Sequence, residues 1–438
     1  MRPEPVAPPP QPGPEDAPLV SVRDLKTYYS IRGSFIDRLA GREAGIVRAV
    51  DGVSLDIRRG EVLGLVGESG SGKTTLGRTL LGLVRATGGS MQFEGQELTG
   101  RSESEWRDLR REIQVVFQDP HASLNPAMTI EQAVGHPLQI HRLMRSKEQI
   151  RARVIEVLEH CGLAPGADYL DKYPSDLSGG QKQRVVIARA IILNPVLLVA
   201  DEPVSMLDMS VRAKILELMM ALKRDLELTY LYITHDLATA RFFCDRIAIM
   251  YLGKVVEIGP AEAIYADPKH PYTQALLRAI PEPDPERAVP RDLPRGEVPD
   301  AAMPPLGCPF HPRCPSAFEP CGWESRDLRE LFESRWALAA GEPGVEEEQA
   351  LVGDLDVLAR PSSKVRLTAG RKAPEIVGLL DRIRAEDPAE PFWRGIERME
   401  ADELSVNIDF HEPHEPQLEQ VGEVEVSCHL YDPTITQA

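Results

Sequence analysis

The sequence predicts an α/β fold built on a parallel sheet, and three observations support this prediction. The apolar run 61–66 is short and contains β-branched residues, which is typical of a buried strand. It is followed by the glycine-rich loop 67–75, GESGSGKTT, and by the apolar run 76–83, which suits a helix. Further along, the continuous apolar run 196–200 fits a central parallel strand that is covered on both faces.

The glycine-rich loop predicts a site for the phosphates of a nucleotide, because it reads G-x-x-x-x-G-K-T between a strand and a helix. Glycines at positions 67, 70 and 72 allow backbone N–H groups to converge on phosphate oxygens, and the helix start adds positive potential. We expect Lys73 to contact the β- and γ-phosphates and Thr74 to bind Mg²⁺. The full predicted loop set is Gly67, Ser69, Gly70, Ser71, Gly72, Lys73, Thr74 and Thr75.

Two carboxylates follow the apolar run 196–200, at the end of a strand where open α/β sheets bind their ligands. We predict that Asp201 holds Mg²⁺, directly or through water, and that Glu202 polarises an attacking water. The alternative is that the pair only closes the strand as a turn. The phosphate-binding loop upstream argues against that alternative.

A third motif, LSGGQKQR at 177–184, lies between the loop and the carboxylates. Helical spacing continues after it, so the motif predicts either a second anion-binding helix start or a plain N-cap at Ser178. LSGGQ between the glycine loop and LLVADEP at 197–203 resembles the ATP-binding subunits of ABC transporters, and the resemblance covers residues 19–282. It implies a RecA-like sheet with an antiparallel β subdomain and a helical subdomain at about 119–190.

The resemblance also implies roles for single residues. Gln118, after VVF at 115–117, is expected to contact the metal and respond to a membrane partner. His235 is expected to contact the γ-phosphate, beside Glu202 as general base, and Tyr29 is expected to stack on adenine, with Tyr28 as the neighbouring alternative. In this family two subunits meet head to tail, and each signature motif caps the nucleotide of the other. That contact set is Ser178, Gly179, Gly180, Gln181 and Asp208.

Two further segments, FQDPHASLNP at 117–126 and HPYTQALL at 270–277, resemble the oligopeptide and dipeptide importer branch. The resemblance implies an ATP-hydrolysing energy-coupling subunit on the cytoplasmic face of the inner membrane. Its expected partners are a second ATPase subunit, two membrane permeases and, indirectly, an extracytoplasmic solute-binding protein. A paralogue is favoured as the second subunit and a homodimer stays open. Nickel chelates and oligosaccharides stay open as cargo.

Composition bounds the organisation of the 438-residue chain. The net charge of −18 argues against nucleic acid as a general partner. No apolar run approaches the roughly 18 residues that span a bilayer, and no secretory signal is visible. Residues 331–438 hold 23 acidic and 10 basic residues and therefore most of the negative charge.

The predicted domains follow from these composition changes. Residues 1–18, with eight prolines, are expected to be disordered, and Phe35–Leu39 to form a short amphipathic helix. The other predicted parts are an ATPase domain (19–282), a cysteine region (283–330 with 421–438) and an acidic insert of unknown fold (331–420). The insert is either a small docking domain or a regulatory lid.

Six cysteines are present, and Cys161 and Cys244 are expected to be buried as small hydrophobic residues. Cys308, Cys314 and Cys321 are closely spaced in a proline-rich segment, which favours a metal or cluster over a core; a cytosolic setting disfavours disulfides. The segment CPFHPRCP resembles that of peptide-importer subunits, which implies that these thiols and Cys428 hold a [4Fe–4S] cluster. Structural zinc and free thiols stay open. The chain departs from the family in the 106 residues between Cys321 and Cys428.

Two other functions are alternatives to the importer. A non-transport ABC ATPase of DNA repair or translation would carry long coiled coils, zinc modules or tandem ATPase halves, whereas this chain has one phosphate loop and no sustained heptads. A scaffold role for the acidic insert, with secondary ATPase activity, is the second alternative.

Overall fold

The computed structural model describes residues 17–31, 45–280, 296–339, 344–368 and 372–435. The predicted helix Phe35–Leu39 and all but the end of the predicted 1–18 tail lie outside these residues. The chain divides into two units, one of residues 1–29 and 48–254 and the other of residues 30–47 and 255–438.

Nine strands lie wholly or mostly in the first unit. They are β1 (Val20–Ser30), β2 (Ile46–Ile57), β3 (Val62–Val66), β4 (Gly88–Phe93), β5 (Gln96–Glu97), β6 (Ile113–Val116), β7 (Leu197–Asp201), β8 (Thr229–Thr234) and β9 (Arg246–Tyr251). One sheet has the order β2-β1-β4-β5, and β4 pairs antiparallel with both β1 and β5. This sheet agrees with the predicted antiparallel β subdomain.

A parallel array with the order β9-β3-β8-β7-β6 forms the centre of the first unit. Every residue of β3, β7 and β8 is buried, as expected for strands that are covered on both faces. Because all five strands run in the same direction, their carboxyl ends meet at one edge of the sheet. The loops that follow β3, β6, β7 and β8 therefore come together at that edge.

Eight helices of the first unit connect these strands. They are α1 (Lys73–Leu80), α2 (Glu103–Leu109), α3 (Pro120–Ser123), α4 (Ile130–Ile140), α5 (Lys147–His160), α6 (Gly179–Ile191), α7 (Met209–Leu226) and α8 (Leu237–Phe243). The helix starts follow local sequence signals: Thr129 and Gln132 form a reciprocal capping box at α4, and Asp236 caps α8. Three consecutive helices, α3 to α5, occupy the segment 119–176 that the sequence predicts to be helical.

The described residues of the second unit contain two sets of antiparallel strands. Its strands are β10 (Lys254–Pro260), β11 (Lys364–Thr368), β12 (Ile396–Ala401), β13 (Ser405–Phe410), β14 (Leu418–Val421) and β15 (Val424–Ser427). β15 pairs with both β10 and β14, while β13 lies between β11 and β12. Both β11 and β13 lie in the acidic insert, for which the sequence predicts no particular fold.

The described residues of the second unit also form five helices: α9 (Ala261–Ala266), α10 (Pro271–Arg278), α11 (Ser325–Leu338), α12 (Val345–Val352) and α13 (Ala373–Glu386). Helix α13 lies in the acidic insert and buries Ile376, Leu379, Leu380 and Ile383 on one side. This is the spacing of an amphipathic helix that packs one face against a core.

One buried apolar cluster runs through the second unit, and it includes residues on both sides of the predicted boundary at 330. Ala317, Cys321 and Trp323 come from the cysteine segment, whereas Phe392 and Phe410 come from the acidic insert. The Trp323 and Phe392 rings meet edge to face, with their centroids 6.1 Å apart. The insert is therefore folded together with the cysteine segment around shared side chains. Within the described residues, no helix is long and apolar enough to cross a membrane.

Candidate functional site

The glycine-rich loop connects β3 to α1 and holds Lys73 in a buried position, with 6% of the residue exposed. The Lys73 Nζ donates to the carbonyls of Gly67 (2.7 Å) and Glu68 (2.8 Å) and to the Ser71 hydroxyl (3.2 Å). Burial lowers the pKa of Lys73, and the nearby carboxylates of Glu202 and Asp201 act in the opposite direction. In these three hydrogen bonds the Lys73 ammonium has carbonyl and hydroxyl partners and no carboxylate. Phosphate oxygens can replace such neutral partners.

Glycine is required at two positions of the loop by close backbone approach. Gly72, which precedes α1, has φ +100°, and a Cβ there would lie 2.0 Å from the Ala49 carbonyl oxygen. A Cβ at Gly67 would lie 2.1 Å from the Met250 carbonyl oxygen. A side chain at either position would push the loop away from the neighbouring backbone. Glycine is therefore needed at 67 and 72 to keep the loop in this position.

Asp201 is the last residue of β7, and its carboxylate accepts a hydrogen bond from the Thr74 hydroxyl at 3.1 Å. The pair joins the start of α1 to the end of β7, as two ligands of one metal ion would. Burial raises the pKa of Asp201 and the Thr74 hydrogen bond opposes that rise. The Thr74 hydroxyl and the Asp201 carboxylate are oxygen ligands of the kind that Mg²⁺ prefers. A bound cation would also stabilise the charged form of Asp201, which burial disfavours.

Glu202 lies at the centre of a second group of side chains. Its Oε2 accepts from the Gln118 amide at 2.8 Å, and its Oε1 lies 2.9 Å from Nδ1 of His235. A carboxylate only accepts, so Nδ1 carries the proton in this contact. Gln118, Glu202 and His235 follow β6, β7 and β8, which are adjacent in the sheet. The parallel array thus assembles three residues that are far apart in the sequence.

The backbone of Glu202 contributes to this placement. It adopts φ +49°, a left-handed conformation that few residues other than glycine occupy. Its amide donates to the Ile233 carbonyl at 2.9 Å, and its own carbonyl accepts from the Ser205 hydroxyl at 3.1 Å. These bonds at the strand end hold the chain in a strained turn. A strained residue with its carboxylate held by two donors is the pattern of a functional residue.

The signature motif begins a helix, as the sequence predicts. Ser178 is the N-cap of α6, its hydroxyl accepts from the Gln181 amide at 3.3 Å, and Gln181 Oε1 accepts from the Ser178 amide at 2.9 Å. This reciprocal capping box corresponds to the second alternative predicted from the sequence, in which Ser178 is a plain N-cap. Gly179 and Gly180 form the first turn. These hydrogen bonds stay within the helix start and do not join it to the group around Glu202.

Tyr29 and Tyr28 differ in their surroundings near the end of β1. The Tyr29 side chain is 41% exposed and is therefore free to stack on a base. The Tyr28 hydroxyl donates to Asp51 at 2.5 Å, and burial together with Asp51 raises the Tyr28 pKa to about 12. Tyr29 therefore has an exposed ring, whereas the Tyr28 hydroxyl is held by Asp51.

Two contacts near the site were missed by the sequence reasoning. Arg212 pairs with Asp236 at 3.0 Å, which joins the first turn of α7 to the residue after His235. Lys182 Nζ lies 3.3 Å from His121 Nδ1, between α6 and the segment that follows Gln118. Asp208 is the N-cap residue of α7, the helix that contains Arg212. None of these pairs has a sequence spacing that signals it, because each depends on how separate helices meet.

The four predicted cysteines of the second unit line one small cavity of about 10 Å³. Its wall also contains three imidazoles and two phenylalanine rings; the lining is His270, Pro271, Cys308, Phe310, His311, Cys314, Ser316, Phe318, Cys321, Cys428, His429 and Leu430. Burial lowers the pKa of His270 to about 3. The three histidines were not among the predicted site residues, although His270 and His311 lie within the quoted segments HPYTQALL and CPFHPRCP.

The donor chemistry of this cavity fits a group bound by four thiolates. Burial raises the pKa of Cys314 and Cys321 to about 12 and of Cys428 to about 11. The charge of one thiolate raises the pKa of its neighbours further, as Cys308 does for Cys314, so a cation is needed to keep several of them deprotonated. Among the described residues, however, no three His, Cys, Asp or Glu side chains are arranged as a preformed metal site. Binding would require the thiols to turn toward a common centre.

Comparison with known proteins agrees with this geometry. The family model described as "ABC transporter" matches residues 50–205, and the model "Oligopeptide/dipeptide transporter, C-terminal region" matches residues 256–321. The "Putative peptide import ATP-binding protein BOV_A0347" of Brucella ovis is 45% identical over 316 residues, which cover 72% of this chain and 95% of the relative. This chain belongs to the oligopeptide transport ATP-binding family of ABC transporters.

A second relative and a solved structure are also similar to this chain. The "Oligopeptide transport ATP-binding protein AppF" of Bacillus subtilis is 43% identical over 321 residues, which cover 73% of this chain and 95% of the relative. A solved structure, "Dimeric Structure of MJ0796, a Bacterial ABC Transporter Cassette", has a TM-score of 0.49 and 30% identity and covers 55% of this chain and 98% of that chain.

The chain is therefore an ABC-type ATPase, the ATP-hydrolysing subunit of an importer-family ABC transporter. The predicted family, its ATP-binding function and the α/β class with mixed sheets are confirmed. The predicted cluster is not among the confirmed features.

Proposed function

We propose that this ATPase powers the import of oligopeptides or dipeptides, and that the group around Glu202 carries out hydrolysis. The observation that supports it most directly is the convergence of Gln118 and His235 on the two carboxylate oxygens of Glu202. Named relatives transport peptides, and the second family match covers residues 256–321 of this chain. Nickel chelates and oligosaccharides remain the competing cargo.

Each residue has a defined task in the proposed mechanism. Lys73 and the loop amides of 67–75 bind the β- and γ-phosphates. Thr74, Asp201 and Gln118 would hold Mg²⁺, which would supply positive charge to the phosphate oxygens. Glu202 accepts the proton of the attacking water, and His235 hydrogen-bonds the γ-phosphate.

ATP would rearrange the contacts seen around Glu202. Each carboxylate oxygen accepts a hydrogen bond from one side-chain donor, so an attacking water has to share the carboxylate with Gln118 and His235. When His235 turns to the γ-phosphate and Gln118 leaves its contact, the carboxylate is left to the water. Hydrolysis is then coupled to the completed site, which is the behaviour of a ligand-driven switch.

We further propose that two ATPase subunits pair head to tail. Residues Ser178, Gly179, Gly180, Gln181 and Asp208 of one subunit would cap the nucleotide bound by the other, while Tyr29 stacks on adenine. The exposed Met206 and Met209 side chains, 61% and 84% exposed, lie beside Asp208 and offer apolar surface for such a contact. A paralogue is the favoured second subunit; two permeases and a solute-binding protein would complete the importer at the inner face of the cell membrane.

The domain assignment belongs to the same proposal. Residues 19–282 form the ATPase domain, 283–330 with 421–438 form the cysteine region, and 331–420 form an insert that folds against it. We propose that Cys308, Cys314, Cys321 and Cys428 hold a [4Fe–4S] cluster, for which a four-cysteine ligand set is typical; structural zinc is the alternative. Iron, sulfide and zinc assays on anaerobically purified protein decide between them, and absence of all three would leave free thiols.

The hydrolysis proposal is tested with Glu202→Gln in purified protein. The variant should bind ATP with little change and hydrolyse it about 10²- to 10⁴-fold more slowly, the usual contribution of a general base. Glu227→Gln is a matched control, because Glu227 also has a left-handed backbone, with φ +52°, at the end of α7. Near-normal turnover in Glu202→Gln would remove Glu202 from this role.

The cargo and pairing proposals need separate measurements. Uptake of labelled peptides by vesicles that contain the ATPase with its co-purifying membrane subunits should depend on ATP, whereas nickel chelates and oligosaccharides should not compete. If the active form is a dimer, ATPase activity per chain should rise with protein concentration. Full activity in a strictly monomeric preparation contradicts the head-to-tail site.

A further inference from the structure

His270 is a buried imidazole on the wall of the cysteine cavity, and 1% of the residue is exposed. It is the N-cap residue of α10, and its Nδ1 accepts a hydrogen bond from the Tyr272 amide at 3.0 Å. A ring nitrogen that accepts from an amide carries no proton, so the proton of the neutral ring lies on Nε2. The helix start thus fixes the tautomer of His270 as an Nε2–H donor.

This donor is left without a hydrogen-bond partner among the described residues. A buried donor without a partner is destabilising, and such groups call for an explanation. His429, on the same wall, cannot serve as an equivalent donor, because its Nε2 already donates to the His414 carbonyl at 2.9 Å. Both ring nitrogens of His311, the third imidazole, are in hydrogen bonds, with the Cys308 carbonyl at 2.9 Å and with Asp327 at 3.1 Å. His270 is therefore the imidazole of this wall whose N–H has no hydrogen-bond partner among the described residues.

The cavity wall also carries four cysteine sulfur atoms. Cys308, Cys314, Cys321 and Cys428 line it together with His270, and the remaining lining is largely aromatic or aliphatic. A thiolate or a bridging sulfide accepts N–H···S hydrogen bonds, whereas a bound zinc ion offers no acceptor besides its thiolate ligands. A donor with a fixed tautomer, on a wall that also carries four thiols, is placed to serve such an acceptor.

We propose that Nε2–H of His270 donates a hydrogen bond to a sulfur atom of the iron–sulfur group held by the four cysteines, and that it raises the reduction potential of that group. The inference rests on the proposed cluster. The physical reason is that hydrogen bonds to the sulfurs withdraw electron density and stabilise the reduced form, which is one of the main factors that set such potentials. His270 then acts as a tuning residue and not as a ligand.

Two substitutions separate the donor from the helix cap. His270→Asn keeps a side-chain oxygen that can accept from the Tyr272 amide but is too short to place a donor where Nε2 lies. His270→Gln is long enough to return an N–H near that position but loses the cap. If His270 only caps α10, Asn should preserve the wild-type behaviour and Gln should not; the tuning role predicts the opposite order.

The experiment uses the full chain purified anaerobically, with iron and sulfide measured first. The reduction potential is then determined by a redox titration followed by electron paramagnetic resonance. His270→Asn should shift the ratio of reduced to oxidised cluster about tenfold toward the oxidised form, a fall of about 59 mV for a one-electron couple. His270→Gln should recover part of this shift. Electron–nuclear double resonance in D₂O should show an exchangeable proton coupled to the cluster that is absent from His270→Asn.

The outcomes distinguish the proposed cluster from the role of His270. A wild-type protein without iron and sulfide, or with zinc, overturns the proposed cluster and the tuning role with it. A protein that holds the cluster but shows the same potential and the same exchangeable proton in His270→Asn overturns the tuning role alone. In that case the Nε2 donor of His270 is satisfied by a group other than the cluster sulfurs.

Discussion

Replacing Trp323 by alanine should destabilise the cysteine segment and the acidic insert together. Trp323 is 3% exposed, and its indole N–H donates to the Phe318 carbonyl at 2.8 Å. Its ring meets those of His311 and Phe392 edge to face, and a Cβ on Gly395 would lie 2.1 Å from the Trp323 Cγ atom. Phe392 and Gly395 belong to the insert, so one side chain from the cysteine segment fills the space between them.

The magnitude follows from what the indole buries. Removing a large aromatic side chain from a core costs about 3–5 kcal/mol, and the freed Phe318 carbonyl adds to that cost. A loss of about 4 kcal/mol lowers amide protection by about three orders of magnitude, because each 1.36 kcal/mol is tenfold. Local hydrogen exchange is the suitable measurement, since a chain with two units does not give a single unfolding free energy.

Two reporter amides lie on either side of Trp323. The Cys308 amide donates to the Cys321 carbonyl at 2.9 Å, within the cysteine segment, and the His411 amide donates to the Gly395 carbonyl at 3.1 Å, within the insert. Both should exchange faster in Trp323→Ala. Leu338→Ala is the control, because Leu338 is 90% exposed and its removal should change protection by less than about 0.5 kcal/mol. If the two reporters respond independently of each other, the shared core does not exist.

Two further predictions concern the nucleotide site. Tyr29→Ala should weaken ATP binding by about 1–3 kcal/mol, the value of one base stacked on an aromatic ring, whereas Tyr28→Phe, which removes only the hydrogen bond to Asp51, should leave nucleotide affinity nearly unchanged in a titration with a fluorescent ATP analogue. Asp201→Asn should stabilise the nucleotide-free protein and abolish the Mg²⁺ dependence of ATP binding. The sign follows because burial raises the pKa of Asp201: the charged carboxylate opposes folding at neutral pH, stability rises as pH falls through the folded-state pKa, and the amide removes that dependence. Equal stability of wild type and variant at neutral pH would contradict it.

The nucleotide site could be predicted from the sequence because its signals are local. The loop 67–75 carries its strand and helix on either side, and the pair Asp201–Glu202 directly follows its strand. The structure places these segments as predicted, on β3, α1 and β7. Their chemistry depends on residue type and on the edge of a parallel sheet, and both can be inferred from apolar runs and glycine spacing.

Other features depend on contacts between distant segments and could not be predicted in this way. The two donors to Glu202 were each proposed through family resemblance, but their simultaneous hold on its two oxygens is visible only in the structure. The same is true of the free Nε2 of His270, which depends on a helix cap and a buried wall. The core shared by Trp323 and Phe392 joins residues of different predicted domains. Charge and composition mark such a boundary, but they do not report which apolar faces pack across it.

The shared core has a consequence for how the last thiol reaches its site. Between Cys321 and Cys428 lie 106 residues, and closing an unstructured loop of that length costs about 4 kcal/mol in chain entropy. Folding of the intervening segment covers this cost in advance, because it returns the chain at His414, whose amide bonds to the Pro320 carbonyl at 3.2 Å. The fourth cysteine therefore arrives last and only on a correctly assembled polypeptide. Loading of the thiols with metal would thus report, in the growing cell, that the segment between Cys321 and Cys428 had been synthesised and had folded.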